Sequence, residues 1–361
     1  MNDRLDQVRS ALEKAGCDAF FSVSPPANQY LSGLLTSFGE ISSAIIIMGD
    51  RAHFLCDFRY TEQARKEVMG YEISEIKGDI LVRSGERLES LGLKKVAFDP
   101  SGLTVDEKAR LESAYTGELA GEKTWVSGLR VIKSDEELEL LRAASNLAEG
   151  VLADLTPTLR EGLPERELAA QFEFEFKKRG ATGSSFDTIA LFGPKSSLPH
   201  GIPDGTPLKR GDVVLLDFGC RSAGYCSDLT RTYVFGTIPG AWFEEIYALT
   251  YEAQHRALEA VQPGKTGREV DAVARNIISE GGYGEYFGHG LGHGVGVEIH
   301  EAPRLNTESD TVLEAGMVLT VEPGIYLPGK GGVRIEDLVV VREDGCEILT
   351  KTPKQLKVLG E

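Results

Sequence analysis

Five side chains in the C-terminal half of this chain could hold divalent metal: Asp217, Asp228, His293, Glu322 and Glu336. Four carboxylates with one imidazole suit a pair of ions such as Mn or Co. The oxygen-rich set favours harder ions, and the imidazole extends the choice to Zn or Fe. Two such ions side by side can activate water and polarise an amide carbonyl, the chemistry of a metallohydrolase. The contexts support this reading. Asp217 ends the apolar run Val213-Val-Leu-Leu-Asp217, and Glu322 ends Met317-Val-Leu-Thr-Val-Glu322. Asp228 follows Gly224-Tyr-Cys-Ser, and Glu336 lies in Gly332-Val-Arg-Ile-Glu336-Asp-Leu-Val-Val. Each run reads as a strand buried on at least one face. A carboxylate there costs several kcal/mol unless it is paired or binds metal. Four unrelated acids at strand edges would leave this shared context unexplained.

The two acidic stretches resemble each other. Gly211 precedes Asp217 by six residues and Gly316 precedes Glu322 by six; a second acid follows 11 residues after Asp217 and 14 after Glu322. Each stretch then returns to a β-branched run. The pattern predicts one acidic hairpin used twice, with two copies facing each other to gather four carboxylates. His293 would come from the glycine-rich stretch between them.

That stretch, His289-Gly-Leu-Gly-His293-Gly-Val-Gly-Val-Glu-Ile-His300, places three histidines within twelve residues. Glycines let backbone pass close to a ligand. An extended 289–293 would point His289 and His293 to one side, and strand spacing from Val295 to Ile299 would carry His300 past the site. One neutral imidazole can ligate metal while another hydrogen-bonds a substrate carbonyl. His200, in Leu198-Pro-His-Gly201, is a further candidate; His53 and His255 read as ordinary strand and helix residues. The loop lacks the Lys-Ser/Thr of a phosphate-binding loop and leads into no obvious helix, which argues against a phosphate site.

The elements that must position these residues follow from periodicity and caps. Helical spacing over 4–15 ends at Gly16, and strands are expected at 19–23, 43–48, 52–56 and 94–98, with a helix around 60–68. Strands alternating with helices predict an α/β (α+β) fold with helices on the faces of a mixed sheet. A boundary near 125–133 divides an N-terminal domain, 1–128, from a catalytic domain, 129–361. Ser134-Asp-Glu-Glu137 is a capping-box start; helices at about 134–153, 164–179, 241–261 and 267–280 flank the acidic strands.

Composition narrows the function classes. With 361 residues, one or two domains are expected. A net charge of −17 argues against nonspecific nucleic-acid binding. The N-terminus has no apolar signal core, and no run is long enough to span a membrane. Five scattered cysteines fit reduced thiols in the cytoplasm better than a disulfide framework.

The motifs Leu216-Asp-Phe-Gly219, Ser227-Asp-Leu-Thr-Arg-Thr232, His289-Gly-Leu-Gly-His293, Val321-Glu-Pro-Gly324 and Arg334-Ile-Glu336 together resemble those of the pita-bread metallopeptidases, specifically the Xaa-Pro peptidases (prolidase and aminopeptidase P). The resemblance covers nearly the whole chain. Asn28-Gln-Tyr-Leu-Ser-Gly33 and Asp57-Phe-Arg-Tyr60 look like weaker markers of a creatinase-type N-terminal domain. The pita-bread domain carries an internal pseudo-twofold, in agreement with the doubled hairpin. The resemblance implies that Asp217 chelates one metal, that Asp228 and Glu336 bridge both, and that His293 and Glu322 complete the second. Glu322 would also be the general base. His200 and His300 would hold substrate and stabilise the tetrahedral intermediate, with His289 near the substrate. Thr230 and Arg334 would orient the acids.

All five ligand positions are intact, which disfavours the metal-free creatinase relatives and inactive, partner-binding family members. The N-terminal domain favours the Xaa-Pro branch over methionine aminopeptidase. The expected activity is hydrolysis of the Xaa-Pro bond in short proline-containing peptides, by a homodimer. Arg304, four residues after His300, tilts the reading towards a dipeptidase: an arginine at a similar place in prolidases is thought to bind the dipeptide carboxylate. The alternative is an aminopeptidase acting on longer Xaa-Pro peptides.

Overall fold

The computed structural model describes residues 2–36, 41–121 and 124–360. The chain divides into two compact units, Met1–Arg130 and Val131–Glu361. In the first, β1 (Ala19–Ser22), β2 (Ser43–Met48), β3 (Ala52–Cys56), β4 (Glu72–Glu75), β5 (Lys95–Phe98) and β6 (Glu118–Gly121) form one sheet in the order β4-β3-β2-β1-β5-β6. The β1–β2 and β2–β3 pairs are antiparallel and the others parallel. Its helices are α1 (Asn2–Ala15), α2 (Pro25–Ser32), α3 (Phe58–Glu67), α4 (Ile80–Ser90) and α5 (Val105–Glu112). Helix α3 starts two residues before the expected 60, because Asp57 caps the Arg59 N–H. Three helices escape a reading based on periodicity, α2, α4 and α5. Each carries a local signal: Pro25-Pro26 presets the first turn of α2, Asp79 caps α4 by accepting from the Leu81 and Val82 N–H groups, and Thr104 with Glu107 caps α5 reciprocally.

The second unit contains α6 (Asp135–Leu155), α7 (Glu165–Lys178), α8 (Ala241–Ala260) and α9 (Gly267–Glu280). One of its sheets has the order β20-β12-β9-β8, built from β8 (Ile189–Phe192), β9 (Val213–Phe218), β12 (Leu229–Phe235) and β20 (Val358–Leu359). A second has the order β14-β13-β15-β18-β19, built from β13 (Gly292–Gly294), β14 (Glu301–Leu305), β15 (Val318–Val321), β18 (Asp337–Arg342) and β19 (Gly345–Ile348). Short strands fill the hairpins: β7 (Gly183–Ser184), β10 (Cys220–Ser222) and β11 (Tyr225–Cys226) form one small sheet, and β16 (Gly324–Leu327) pairs with β17 (Gly331–Arg334).

The doubling expected from the sequence is visible in the packing. Helices α6 and α7 share a core with Val214, Leu216 and Phe218 of β9. Helices α8 and α9 share another with Leu319 and Val321 of β15 and Val339 and Val341 of β18. Each sheet thus buries its alternate residues against a helix pair, which turns the other alternate set towards the opposite face. Gly211 and Gly316, at φ of 90° and 91°, make the same left-handed turn into β9 and β15.

The return strand of the first hairpin, β12, meets the end of β17 and the link from it to β18. The Glu336 N–H donates to Thr230 O at 3.2 Å, and Thr232 Oγ1 donates to Arg334 O at 2.9 Å. Behind this junction Arg231, with a 1% exposed side chain, donates to Asp337 Oδ1 at 2.8 Å, to Thr230 O and Thr352 O, and to Glu336 O. Asp337 also accepts from Gln254, Thr350 and Lys354. Without Arg231, Asp337 keeps only Lys354 as counter-ion, and the carbonyls of Thr230, Glu336 and Thr352 lose their buried donor. Arg231→Met is therefore expected to destabilise folding by about 3–5 kcal/mol, measured by urea unfolding. A loss below about 1 kcal/mol, the scale of an exposed pair, would show that the junction does not depend on it.

One local expectation is corrected. Residues 289–291 and 295–299 are not strand: β13 spans only Gly292–Gly294, and 296–300 is bend. The β13–β14 register shifts between His293 and Gly294, and the chain turns back into β14 at Glu301. Glycine-rich backbone gains little from extended pairing, so it follows the turn. Among the described residues no helix is long and apolar enough to cross a membrane, and none of the five cysteines is in a disulfide.

Candidate metal centre and active site

Strand alternation aims the acids. Asp217 shares its face of β9 with Leu215, opposite the helix-packed Leu216 and Phe218. Asp228 and Glu336 stand at equivalent places, each just before a return strand, β12 and β18. One oxygen from each of Asp217, Asp228 and Glu336 lies within 4.8 Å of the others. His293 Nε2 lies 3.6 Å from Asp228 Oδ2 and 3.3 Å from Glu322 Oε1. All five residues named from the sequence come to one place.

The backbone must pass tightly to bring His293 there. A Cβ on Gly292 would lie 2.0 Å from Thr320 O, so only glycine lets β13 approach β15. Thr320 Oγ1 accepts the His293 N–H at 3.0 Å and donates to Glu322 Oε1 at 3.0 Å. The His293 Nδ1 contacts Gly294 O at 3.1 Å; an N–H there leaves the Nε2 lone pair facing the carboxylates. Burial holds this ring down at about 3, so it stays neutral. Helix α9 fixes the start of the loop: Arg275 pairs with Asp271 and donates to His289 O at 2.8 Å, and Asp271 Oδ1 accepts the Leu291 N–H.

The electrostatics fit a cation site. Burial and the neighbouring acids push the Asp228 and Glu336 carboxyls well above the usual carboxylate range, and burial raises Glu322 to about 7. Asp217 Oδ1 and Glu336 Oε1 are buried without a hydrogen-bond partner among the described residues. Unpartnered buried carboxylate oxygens in a cluster of acids are donors suited to divalent metal. Their other oxygens are oriented: Arg334 Nη2 donates to Asp217 Oδ2 at 2.5 Å, and Thr230 Oγ1 donates to Glu336 Oε2 at 2.8 Å. Arg334 Nε donates to Thr230 Oγ1, which links the two contacts.

His200, His289, His300 and Arg304 line the same cavity of about 620 Å³ as Asp217, Asp228, His293 and Glu322. His300 meets His293 edge to face at 4.4 Å between ring centroids. Arg304 sits opposite His293 in the β13–β14 register, which puts both side chains on one face. His289 has both ring nitrogens engaged, Nδ1 with Gly290 O at 2.8 Å and Nε2 with the Tyr326 hydroxyl at 2.9 Å. Burial first, then the Arg334 charge, holds it at about 4.

Tyr326 was not singled out by sequence reasoning. Its hydroxyl also accepts from Arg334 Nη1 at 2.8 Å, so it connects His289 to the arginine that holds Asp217. The available signal was its place four residues after Glu322 in the β16–β17 hairpin.

Comparison with known proteins places these features in a wider group. Residues 139–343 match the model for Metallopeptidase family M24, and residues 4–132 match the Creatinase/Prolidase N-terminal domain. The structure is similar to that of an Xaa-Pro dipeptidase from Bacillus anthracis, at a TM-score of 0.94 and 42% identity over 99% of each chain. It is also similar to an X-Pro aminopeptidase from Thermotoga maritima, at a TM-score of 0.87 and 38% identity over 96% of this chain and 99% of the other. By sequence it is 38% identical to an Xaa-Pro dipeptidase of Pyrococcus furiosus across 99% of this chain and 100% of that relative. With matches that run through both units, the chain belongs to Metallopeptidase family M24 and carries that family's catalytic domain behind a Creatinase/Prolidase N-terminal domain.

Proposed function

We propose that this protein hydrolyses the Xaa-Pro bond at a peptide N-terminus, with the Xaa-Pro dipeptide as preferred substrate. The observation that carries the proposal is the convergence of Asp217, Asp228 and Glu336 within 4.8 Å, beside His293 and Glu322, with Asp217, Asp228, His293 and Glu322 lining one cavity. These five residues would hold two divalent cations, Mn or Co. When bound, the cations supply positive charge that polarises an amide carbonyl and makes water a nucleophile near neutral pH.

The chain's own residues do the rest. Glu322, fixed by Thr320, takes the proton of the attacking water and passes it to the departing proline nitrogen. His200 and His300, exposed at the cavity, hydrogen-bond the scissile carbonyl as negative charge develops on its oxygen. Thr230 and Arg334 keep the acids in register. The five cysteines, none of them in a disulfide, fit a reducing cytoplasm, and the assembly is a homodimer, to be checked by light scattering.

Substrate length turns on Arg304. Its place opposite His293 suits a pair with the free carboxylate of a dipeptide, a charge-assisted contact of about 1.5–3 kcal/mol. Arg304→Ala is expected to raise KM for Xaa-Pro roughly 10–150-fold and to leave Xaa-Pro-Yaa nearly unchanged, because that proline carboxyl is in an amide. Kinetics on both substrates, with Mn, Co and Zn, test the whole reading. No turnover of either peptide with any metal would refute it. Faster cleavage of Xaa-Pro-Yaa by the unaltered protein would make it an aminopeptidase, and equal effects of Arg304→Ala on both would make the arginine structural.

A further inference from the structure

The loop between β8 and β9 brings His200 to the cavity, yet residues 198–205 form no strand or helix. Its anchorage is a single buried carboxylate. Glu165, the first residue of α7, is fully buried, and such a group must be satisfied by charge or hydrogen bonds. Its side-chain bonds go to the last residue of β8 and to the loop that follows it. Oε1 accepts the Phe192 N–H at 2.8 Å, and Oε2 accepts from Lys195 Nζ at 2.5 Å and from the Asp204 N–H at 3.1 Å. Lys195 reaches across to the far limb, where Nζ donates to Ile202 O at 3.0 Å and lies 2.9 Å from Asp204 Oδ2. Both limbs of 192–204 therefore close on one ion pair, with His200 between them. Neither Glu165 nor Lys195 lines the cavity.

We propose that the Lys195–Glu165 pair is a latch that holds the His200 loop in its substrate-binding position, which makes Lys195 a positioning residue for substrate and not for metal. The proposal rests on the reading of His200 as a substrate-binding group. Opening the latch frees the two limbs from each other and lets His200 drift from the scissile carbonyl. Displacements near 1 Å can cost on the order of 100-fold in an active site. Asp217 stands on β9, Asp228 just before β12, His293 on β13, Glu322 just after β15 and Glu336 between β17 and β18; the latch meets β9 through Phe192, which pairs with Val214, while the side-chain bonds of Glu165 and Lys195 go to residues 192–204 and to none of these ligands.

The test measures KM and kcat for Xaa-Pro in Lys195→Met, Lys195→Arg, His200→Ala and the Lys195→Met/His200→Ala pair. Calorimetry with Mn alone reports metal affinity. The expected result for Lys195→Met is a KM raised about 10–100-fold, a smaller change in kcat, and unaltered Mn binding. Lys195→Arg recovers most of the loss. In the His200→Ala background Lys195→Met adds little, since coupled residues do not act additively. Normal KM in Lys195→Met beside an impaired His200→Ala overturns the latch and leaves the role of His200 standing. Normal kinetics in His200→Ala overturns the latch through its premise. A full additional loss in the pair, or weakened Mn binding, shows that Lys195 acts elsewhere and also overturns it. Should Lys195→Met fail to fold, Asp204→Asn, which weakens the same closure from the exposed side, is measured in the same way; unchanged KM there overturns the proposal.

Discussion

Glu322→Gln is expected to lower kcat for Xaa-Pro by at least about 100-fold, the usual scale for a general acid–base group. The substitution keeps the shape of the side chain and its contact with Thr320, but removes the charge and the proton-accepting oxygen. Two losses combine. A glutamine cannot take the proton of the attacking water, and an amide is a weaker partner for a cation beside His293 than a carboxylate. Kinetics at saturating Mn, with metal content determined on the same sample, separate the two. If metal content holds and kcat still falls, Glu322 moves the proton. A kcat close to that of the unaltered enzyme at full metal content would remove Glu322 from the mechanism.

Removing metal should abolish turnover, and returning Mn or Co should restore it. The physical basis is the crowding of Asp217, Asp228, Glu322 and Glu336, acids that repel one another when ionised together. The pH dependence follows from the direction of the shifts. In the unfolded chain these carboxyls titrate near about 4. In the folded, metal-free protein Glu322 is raised to about 7, and Asp228 and Glu336 lie well above their usual range. Above about pH 4 the native state therefore keeps protons that the unfolded state has released, and metal-free stability falls as pH rises through this window. Metal displaces those protons and removes the repulsion. The rise in Tm on adding Mn should thus be small near pH 5 and larger near pH 8, with protons released on binding in calorimetry. A Tm increment that does not grow with pH, or activity indifferent to a chelator, would mean that these acids are not a metal site.

Much of the site could be read from short stretches of the chain. The apolar runs ending in Asp217 and Glu322, and the glycines six residues before them, specify a turn and a strand using only local preferences. The capping box at Ser134 marks a helix start in the same local way. The course of 289–300 is not legible in the chain, because its glycines have no side chain to prefer a face and so carry no alternation signal.

The sequence by itself determined which residue types could bind metal, that the acidic hairpin occurs twice, and that a catalytic unit follows a smaller α/β unit. Each of these depends on interactions within a few residues. The tertiary structure alone decided which distant partners support them: Arg231 with Asp337, Tyr326 between His289 and Arg334, and Glu165 with Lys195. Those pairs exist because burial makes an unpaired polar group costly, so a buried group takes whatever donor or acceptor the packing of other elements brings within about 3 Å. No local pattern in the chain records which one that will be.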